Sequence, residues 1–385
     1  MKRDSEKPAR GSTKNLVAGV LFLCLTGILI TGLLALNFTS GRTYENRSFE
    51  QLLAELPDSP IHRTENSSVS IIRQHSEALI PQLGSTLNGP PPMHFRITSK
   101  LPGPVRNSLL RWLPSDVTDR LFITAEDVKL RRQRSLHALS LVANDHPKTI
   151  LQIMIQALAR RETSLRRAAI QSIGEFGSEA HTAVPRLTPF LTSSDSNIRF
   201  QTAKTLGLIG PDSQTAIGKL KTLMSDRSEM VRGAAVVAYS RIVIRQDKLS
   251  VELRDAITDS SSHVRYAAAQ AIGRTACQDP NSASLLIQAL KDTESQVRRN
   301  AAIALGKMGP IATAAIDPLI AALWDETMEV RISSAEALGE IGPKAKRAIP
   351  HLFDALNNDF AGMGTPAHEA IKKIDPASDQ GISAR

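Results

Sequence analysis

The stretch that decides the fold is EVRISSAEALGEIGPKAKRAIPHLFDAL, Glu329–Leu356. Apolar and small residues recur at helical spacing on both sides of Gly342-Pro343, which predicts two short amphipathic helices. Glycine tolerates the left-handed backbone that follows a helix and proline cannot continue one, so this pair ends the first helix. One period earlier, Gln296–Leu323 reads QVRRNAAIALGKMGPIATAAIDPLIAAL, which is nearly the same sequence. The chain therefore repeats a helix–turn–helix unit.

The unit recurs with a period of 33 residues. An arginine marks each copy in register: Arg166, Arg199, Arg232, Arg265, Arg298 and Arg331. Two helices of this size cannot bury their apolar faces alone, and stacking on similar neighbours completes the core. We therefore predict an all-α solenoid of about seven helix pairs over residues 130–375.

The shared pattern V-R-x-x-A-A-x-A-L-G-x-I-G-P-x-A-x-x-A-I-P-x-L-x-x-A-L resembles the short HEAT-like repeats named after phycobilisome (PBS) lyases. The resemblance covers residues 130–374. The period alone also suits ankyrin and tetratricopeptide repeats, but the signatures of both are absent. The resemblance implies a right-handed solenoid in which the Val-Arg helices line the concave side.

An uncharged apolar run, Leu16–Leu36, lies near the N-terminus. As a helix it would span about 32 Å, close to the thickness of a bilayer core. The run is longer than the core of a signal peptide and ends without a good cleavage site, so we predict a retained anchor at residues 15–37. More Lys and Arg precede the run than follow it closely. The positive-inside tendency then predicts a single-pass membrane protein with a cytoplasmic N-terminus and an extracytoplasmic solenoid, periplasmic in a Gram-negative cell.

Composition divides the rest of the chain. Residues 38–67 are polar and contain Pro, Ser and Asn, which is typical of a stalk. Leu79-Ile80-Pro81-Gln82-Leu83 resembles Ala348-Ile349-Pro350-His351-Leu352, which suggests a degenerate copy. The predicted segments are a basic cytoplasmic tail (1–14), the anchor (15–37), the stalk (38–67), a degenerate helical N-terminal cap (68–129), the solenoid (130–375) and a disordered tail (376–385).

No motif in the sequence indicates catalysis. Cys24 and Cys277 provide neither a disulfide framework nor a metal cluster, and Gly-x-Ser-x-Gly, P-loop, Cys-x-x-Cys and His-Glu-x-x-His motifs are absent. Deoxyhypusine hydroxylases resemble this array but bind iron through several His-Glu pairs, and this chain has one, His368-Glu369. We predict no enzyme activity, catalytic residue, metal, cofactor or small-molecule substrate; an oxidoreductase or lyase of the hydroxylase or PBS-lyase class is an alternative.

Aspartates also recur every 33 residues, each six positions before an in-register arginine. In HEAT-like arrays such residues commonly pair between adjacent units, so the resemblance implies a structural ladder. The alternative is that the arginines bind a ligand. The predicted ladder comprises Asp226, Arg232, Asp259, Arg265, Asp292, Arg298, Asp325 and Arg331.

The positions one and nine residues after each in-register arginine lie on the exposed side of the first helices. Aromatic and arginine residues on such a surface are typical of interaction hot spots, and ordinary surface variation is the alternative. The candidate partner-binding residues are Phe200, Tyr266, Arg299, Arg241, Arg274 and Lys307.

These observations predict a membrane-anchored scaffold that binds a protein partner, with an acidic segment of that partner as the candidate ligand. The net charge of +9 leaves a nucleic-acid-binding HEAT-like protein as an alternative, which would require the solenoid to be cytoplasmic.

Overall fold

The computed structural model of the protein describes residues 47–56, 67–90, 103, 124–243, 249–275, 279–357 and 363–379. Within these ranges all the regular secondary-structure elements are helices. The helices form two compact units, residues 1–153 and 154–385. The predicted all-α repeat solenoid is confirmed; its right-handedness and the predicted segment boundaries stay predictions.

The first unit contains short helices that pack on one long helix, α4. Its helices are α1 (Phe49–Ala54), α2 (Ser67–Gln74), α3 (Ser76–Asn88), α4 (Ala125–Leu141) and the start of α5 (Pro147–Ala157). A capping box begins α1 at Ser48 and another begins α4 at Thr124, because each hydroxyl accepts from the backbone three residues later and that residue's side chain accepts in return.

The second unit is an array of helix pairs. The first helices are α6 (Thr163–Glu175), α8 (Ser196–Ile209), α10 (Glu229–Ile242), α12 (Ser262–Thr275), α14 (Ser295–Met308), α16 (Met328–Ile341) and α18 (Gly364–Ile374). The second helices are α7 (Val184–Leu187), α9 (Ile217–Leu223), α11 (Val251–Ala256), α13 (Pro280–Ala289), α15 (Ile316–Ala322) and α17 (Ile349–Asn357), and a last turn, α19 (Pro376–Asp379), follows. Each first helix packs against the first helix of the next repeat.

The repeated apolar face forms the core of this array. In α16, Val330, Ser334, Ala337, Leu338 and Ile341 are all buried, as their helical spacing indicates. The Ser334 hydroxyl donates to the Val330 carbonyl at 2.8 Å, so this small polar residue is satisfied within its own helix.

The glycines serve two purposes. Gly309 and Gly342 have φ of +57° and +74° and end α14 and α16 before a 3₁₀ turn, so the second helix α15 begins at Ile316. Gly207 instead lies inside α8, where an added Cβ would be 2.7 Å from the Ala238 Cα of α10. Glycine at this position therefore lets neighbouring first helices approach closely.

The predicted localisation requires correction. In the ranges that the structure describes, no helix has both the length and the apolar character needed to cross a membrane. The prediction of a single-pass membrane protein with an extracytoplasmic solenoid is wrong on this finding. The predicted anchor itself, residues 15–37, and the basic tail before it lie outside the described residues.

Candidate partner-binding surface

The in-register arginines form a regular series of ion pairs along the loops that precede the first helices. The Arg232 guanidinium donates from Nε and Nη2 to the two carboxylate oxygens of Asp259, both at 2.7 Å. Its Nη1 donates to the main-chain carbonyl of Asp226 at 3.0 Å. The same bidentate ion pair joins Arg199 to Asp226, Arg265 to Asp292 and Arg298 to Asp325.

Each of Arg232, Arg265 and Arg298 therefore contacts two aspartates in different ways. The carboxylate that it binds lies 27 residues later, in the loop of the next repeat, whereas the aspartate six residues earlier offers only its main-chain carbonyl. Arg199 joins the series although the sequence analysis did not include it. At the C-terminal end, Arg331 donates to the carbonyls of Asp325 and Glu326.

The N-terminal end of the ladder is different. Ser193 takes the position at which an aspartate would pair with Arg166. Arg166 instead donates to the Leu158 and Arg160 carbonyls, and its guanidinium lies 5.2 Å from the centre of the Phe190 ring. Cation–π contact thus replaces the carboxylate at this end.

The electrostatics of the ladder favour the charged forms. Burial alone would raise the pKa of the Asp259 carboxyl, but hydrogen bonds from Arg232 and from the Ser261 amide outweigh burial and lower this pKa. The pKa values of Asp226, Asp292 and Asp325 are lowered in the same way. The guanidinium groups of Arg199, Arg232, Arg265 and Arg298 face these carboxylates, so their charge is used within the array.

The candidate partner-binding residues all lie on first helices. Phe200 is on α8, Arg241 on α10, Tyr266 and Arg274 on α12, and Arg299 and Lys307 on α14. Arg274, Arg299 and Lys307 are exposed, whereas the other three are half-buried.

The structure adds a column that the sequence analysis missed, five residues after each in-register arginine. Lys204, Gln270 and Ile303 belong to it, and they lie between the two predicted columns because helical residues four apart share a face. The sequence could have indicated this column, because positions one, five and nine residues after each arginine are four residues apart and share a helical face. We call the following positions on α8, α10, α12 and α14 the central strip: Phe200, Lys204, Leu208, Gly233, Val237, Arg241, Tyr266, Gln270, Arg274, Arg299, Ile303 and Lys307.

Neighbouring members of a column are close in space. Lys373 of α18 lies one period after Glu340 of α16, and the Lys373 Nζ is 2.8 Å from the Glu340 Oε1. Side chains at equivalent positions on adjacent first helices can therefore contact the same ligand.

The central strip is cationic and apolar. Its cations are Lys204, Arg241, Arg274, Arg299 and Lys307, and it contains no carboxylate. Among the residues that the structure describes, none of these five forms a salt bridge. Five cations thus remain available to a partner.

His368 and Glu369, the single His-Glu pair, lie on α18. In the described ranges, no three His, Cys, Asp or Glu side chains group closely enough to hold a metal ion.

Comparison with known proteins assigns the family. The HEAT-repeat family model matches residues 151–240, 250–328 and 283–363, which together are more than half of the chain. The chain belongs to the HEAT repeat family, as the shared pattern predicted. No curated protein matches its sequence.

Several solved structures are similar to this one. An engineered protein shares 19% sequence identity at a TM-score of 0.46, over 87% of this chain and 91% of its own. YibA of Escherichia coli shares 18% at a TM-score of 0.47, over 73% and 94%. A designed armadillo repeat protein, solved in complex with the peptide (KR)4, shares 18% at a TM-score of 0.38, over 58% and 99%.

Proposed function

We propose that the chain is a protein-binding scaffold and that its central strip binds an acidic, partly apolar segment of a protein partner. The observation that carries this proposal is the set of five cations, without a carboxylate among them, on four neighbouring first helices. A HEAT-repeat array suits a protein-interaction role because stacked repeats provide an extended surface.

Cations and apolar side chains contribute differently to such binding. The cations steer an acidic segment toward the strip and set its alignment. Phe200, Tyr266 and Ile303, each half-buried, supply apolar area that a bound side chain can cover. Aromatic and arginine residues together are the types that dominate binding energy in interfaces.

The strip suits a protein segment better than a nucleic-acid backbone. A nucleic acid binds chiefly through many phosphate contacts, but Phe200, Leu208 and Ile303 offer no donor to phosphate. Glu336 and Glu340 follow immediately on α16 and would repel a polyanion that continues along the array.

The test uses a fluorescent ten-residue peptide that alternates Glu or Asp with Leu. We expect it to bind the full chain in fluorescence anisotropy, and we expect Arg241→Glu/Arg274→Glu/Lys307→Glu to reduce its affinity at least tenfold. The reason is that three attractive contacts become repulsive.

The control makes the same change in net charge outside the strip, as Arg186→Glu/Lys219→Glu/Lys291→Glu, because these three side chains are exposed. This control should keep the wild-type affinity. Equal loss in both variants, no peptide binding by the wild type, or tighter binding of a DNA duplex with a steep salt dependence would each overturn the proposal.

A further inference from the structure

The exposed surface of the first helices changes from positive to negative between α14 and α16. On α14, Arg299 and Lys307 occupy the positions one and nine residues after the in-register arginine. On α16 the positions five and nine residues after it are Glu336 and Glu340, and both side chains are exposed. The boundary between positive and negative charge therefore lies between two helices that pack against each other.

The negative region continues onto α18. Its exposed residues at the equivalent positions are Glu369 and Lys373. Lys373 pairs with Glu340, but both side chains are about half exposed, and a pair of this kind contributes little and exchanges readily. At the positions of these two columns, α16 and α18 thus present three carboxylates against one ammonium group, and we call Glu336, Glu340 and Glu369 the acidic end.

We infer that the array recognises a segment whose own charge reverses: acidic residues along the central strip, followed by Lys or Arg over the acidic end. This inference rests on the proposed function. A uniformly acidic segment that passed over α16 would meet like charge, which opposes binding. A basic residue there would meet Glu336 and Glu340 instead.

The charge boundary also sets the chain direction of the bound segment and the spacing between its acidic and basic residues. Packed helices lie about 8–10 Å apart and an extended chain advances about 3.3 Å per residue, so α8 to α14 spans roughly eight residues and α16 about three more. The basic residues should therefore follow the acidic block by about three positions. Because the array has its positive and negative parts in a fixed order, the segment should bind in one direction only.

Three peptides test the inference on the full chain. Each has an eight-residue block that alternates Glu or Asp with Leu, then a Gly-Ser spacer of two residues. One carries two lysines beyond the spacer at its C-terminal end, one carries them at its N-terminal end, and one carries two serines. We expect one of the lysine peptides to bind roughly 3–10-fold tighter than the serine peptide, as two surface ion pairs allow, and the other lysine peptide to gain nothing.

Glu336→Gln/Glu340→Gln should remove that gain while the serine peptide still binds. The matched control, Glu77→Gln/Glu179→Gln, removes two exposed carboxylates outside α16 and α18 and should keep the gain. The inference is overturned if neither lysine peptide binds tighter than the serine peptide, or if both bind tighter by the same factor. It is also overturned if the tighter binding persists in Glu336→Gln/Glu340→Gln. Failure of the serine peptide to bind the wild type overturns the proposed function instead, so the two failures are distinguishable.

Discussion

At the residue scale, each central aspartate of the ladder accepts hydrogen bonds from two arginines at once. The Asp292 carboxylate accepts both prongs of Arg265 and also the amide of Glu294, while its main-chain carbonyl accepts from Arg298. A charged group with this many donors is stabilised in its ionised form. The aspartate thereby connects the loops of two repeats.

The ladder predicts acid sensitivity. The folded-state pKa values of these aspartates lie below the unfolded value of about 3.9, so their contribution is fully present above that pH and is lost as the pH falls through the folded values. Asp292→Asn should lower the free energy of unfolding by about 2–4 kcal/mol at pH 7, because Arg265 loses its charged partner. It should also flatten the fall of the urea midpoint between pH 5 and pH 3.

The control is Asp317→Asn, which removes an exposed pair with Arg347. Urea unfolding of this variant should follow the wild-type pH dependence, because exposed pairs contribute little. Identical pH slopes for the wild type and Asp292→Asn would contradict the role assigned to the ladder.

At the element scale, close approach of the first helices depends on small residues at one position. The glycine eight residues after the in-register arginine faces the next first helix, as Gly207 faces Ala238 and Gly306 faces Ala337. The contacted atoms include backbone Cα atoms, which cannot move aside as a flexible side chain can. The helices must therefore separate if a methyl group is added.

Gly207→Ala should lower the free energy of unfolding by about 1–3 kcal/mol because the added methyl overpacks the interface, despite the better helix propensity of alanine. Urea or thermal unfolding measures this. Gly218→Ala in α9 is the matched control: a Cβ there meets no atom within 4 Å, and the variant should be unchanged or more stable by up to about 1 kcal/mol. A stabilised Gly207→Ala would show that the array tolerates wider helix spacing.

Sequence periodicity predicted the elements well and the contacts between them less well. Helical spacing and Gly342-Pro343 were sufficient to predict α16, its buried face and its end. The spacing of aspartates and arginines is compatible with several pairings, so it could not show that Arg232 binds Asp259 rather than Asp226. That choice depends on how far one repeat is rotated against the next.

The candidate surface was incomplete for a related reason. The columns one and nine residues after the arginine drew attention because they contain aromatic and basic residues. Val237 and Ile303, from the column between them, look like core residues in the sequence. Only the packing of the helices leaves them half-buried and part of the exposed strip.

At the scale of the whole molecule, stability of the second unit comes from each repeat and from its contacts with its neighbours. Helix α14 packs between α12 and α16, whereas among the first helices α18 packs against α16 alone. Local opening should therefore be easier at α18.

Hydrogen exchange followed by mass spectrometry checks this difference. We expect amides in α14 to exchange more slowly than amides in α18, because opening α14 disrupts two interfaces between first helices. Equal protection of the two helices would mean that the second unit opens only as a whole. The comparison uses the full chain at one pH, so that intrinsic exchange rates can be matched residue by residue.

The Arg–Asp ion pair that repeats along the ladder affects how the number of repeats can change during evolution. In every central ion pair of the ladder, the arginine binds the carboxylate 27 residues later in the sequence and the main-chain carbonyl six residues earlier. A tandem duplication of one full period would bring its own arginine and aspartate, and both would find partners at the junctions. A duplication that is not a whole number of periods would leave a guanidinium opposite the wrong loop. The array can therefore lengthen or shorten by whole periods through recombination without redesign of its connections.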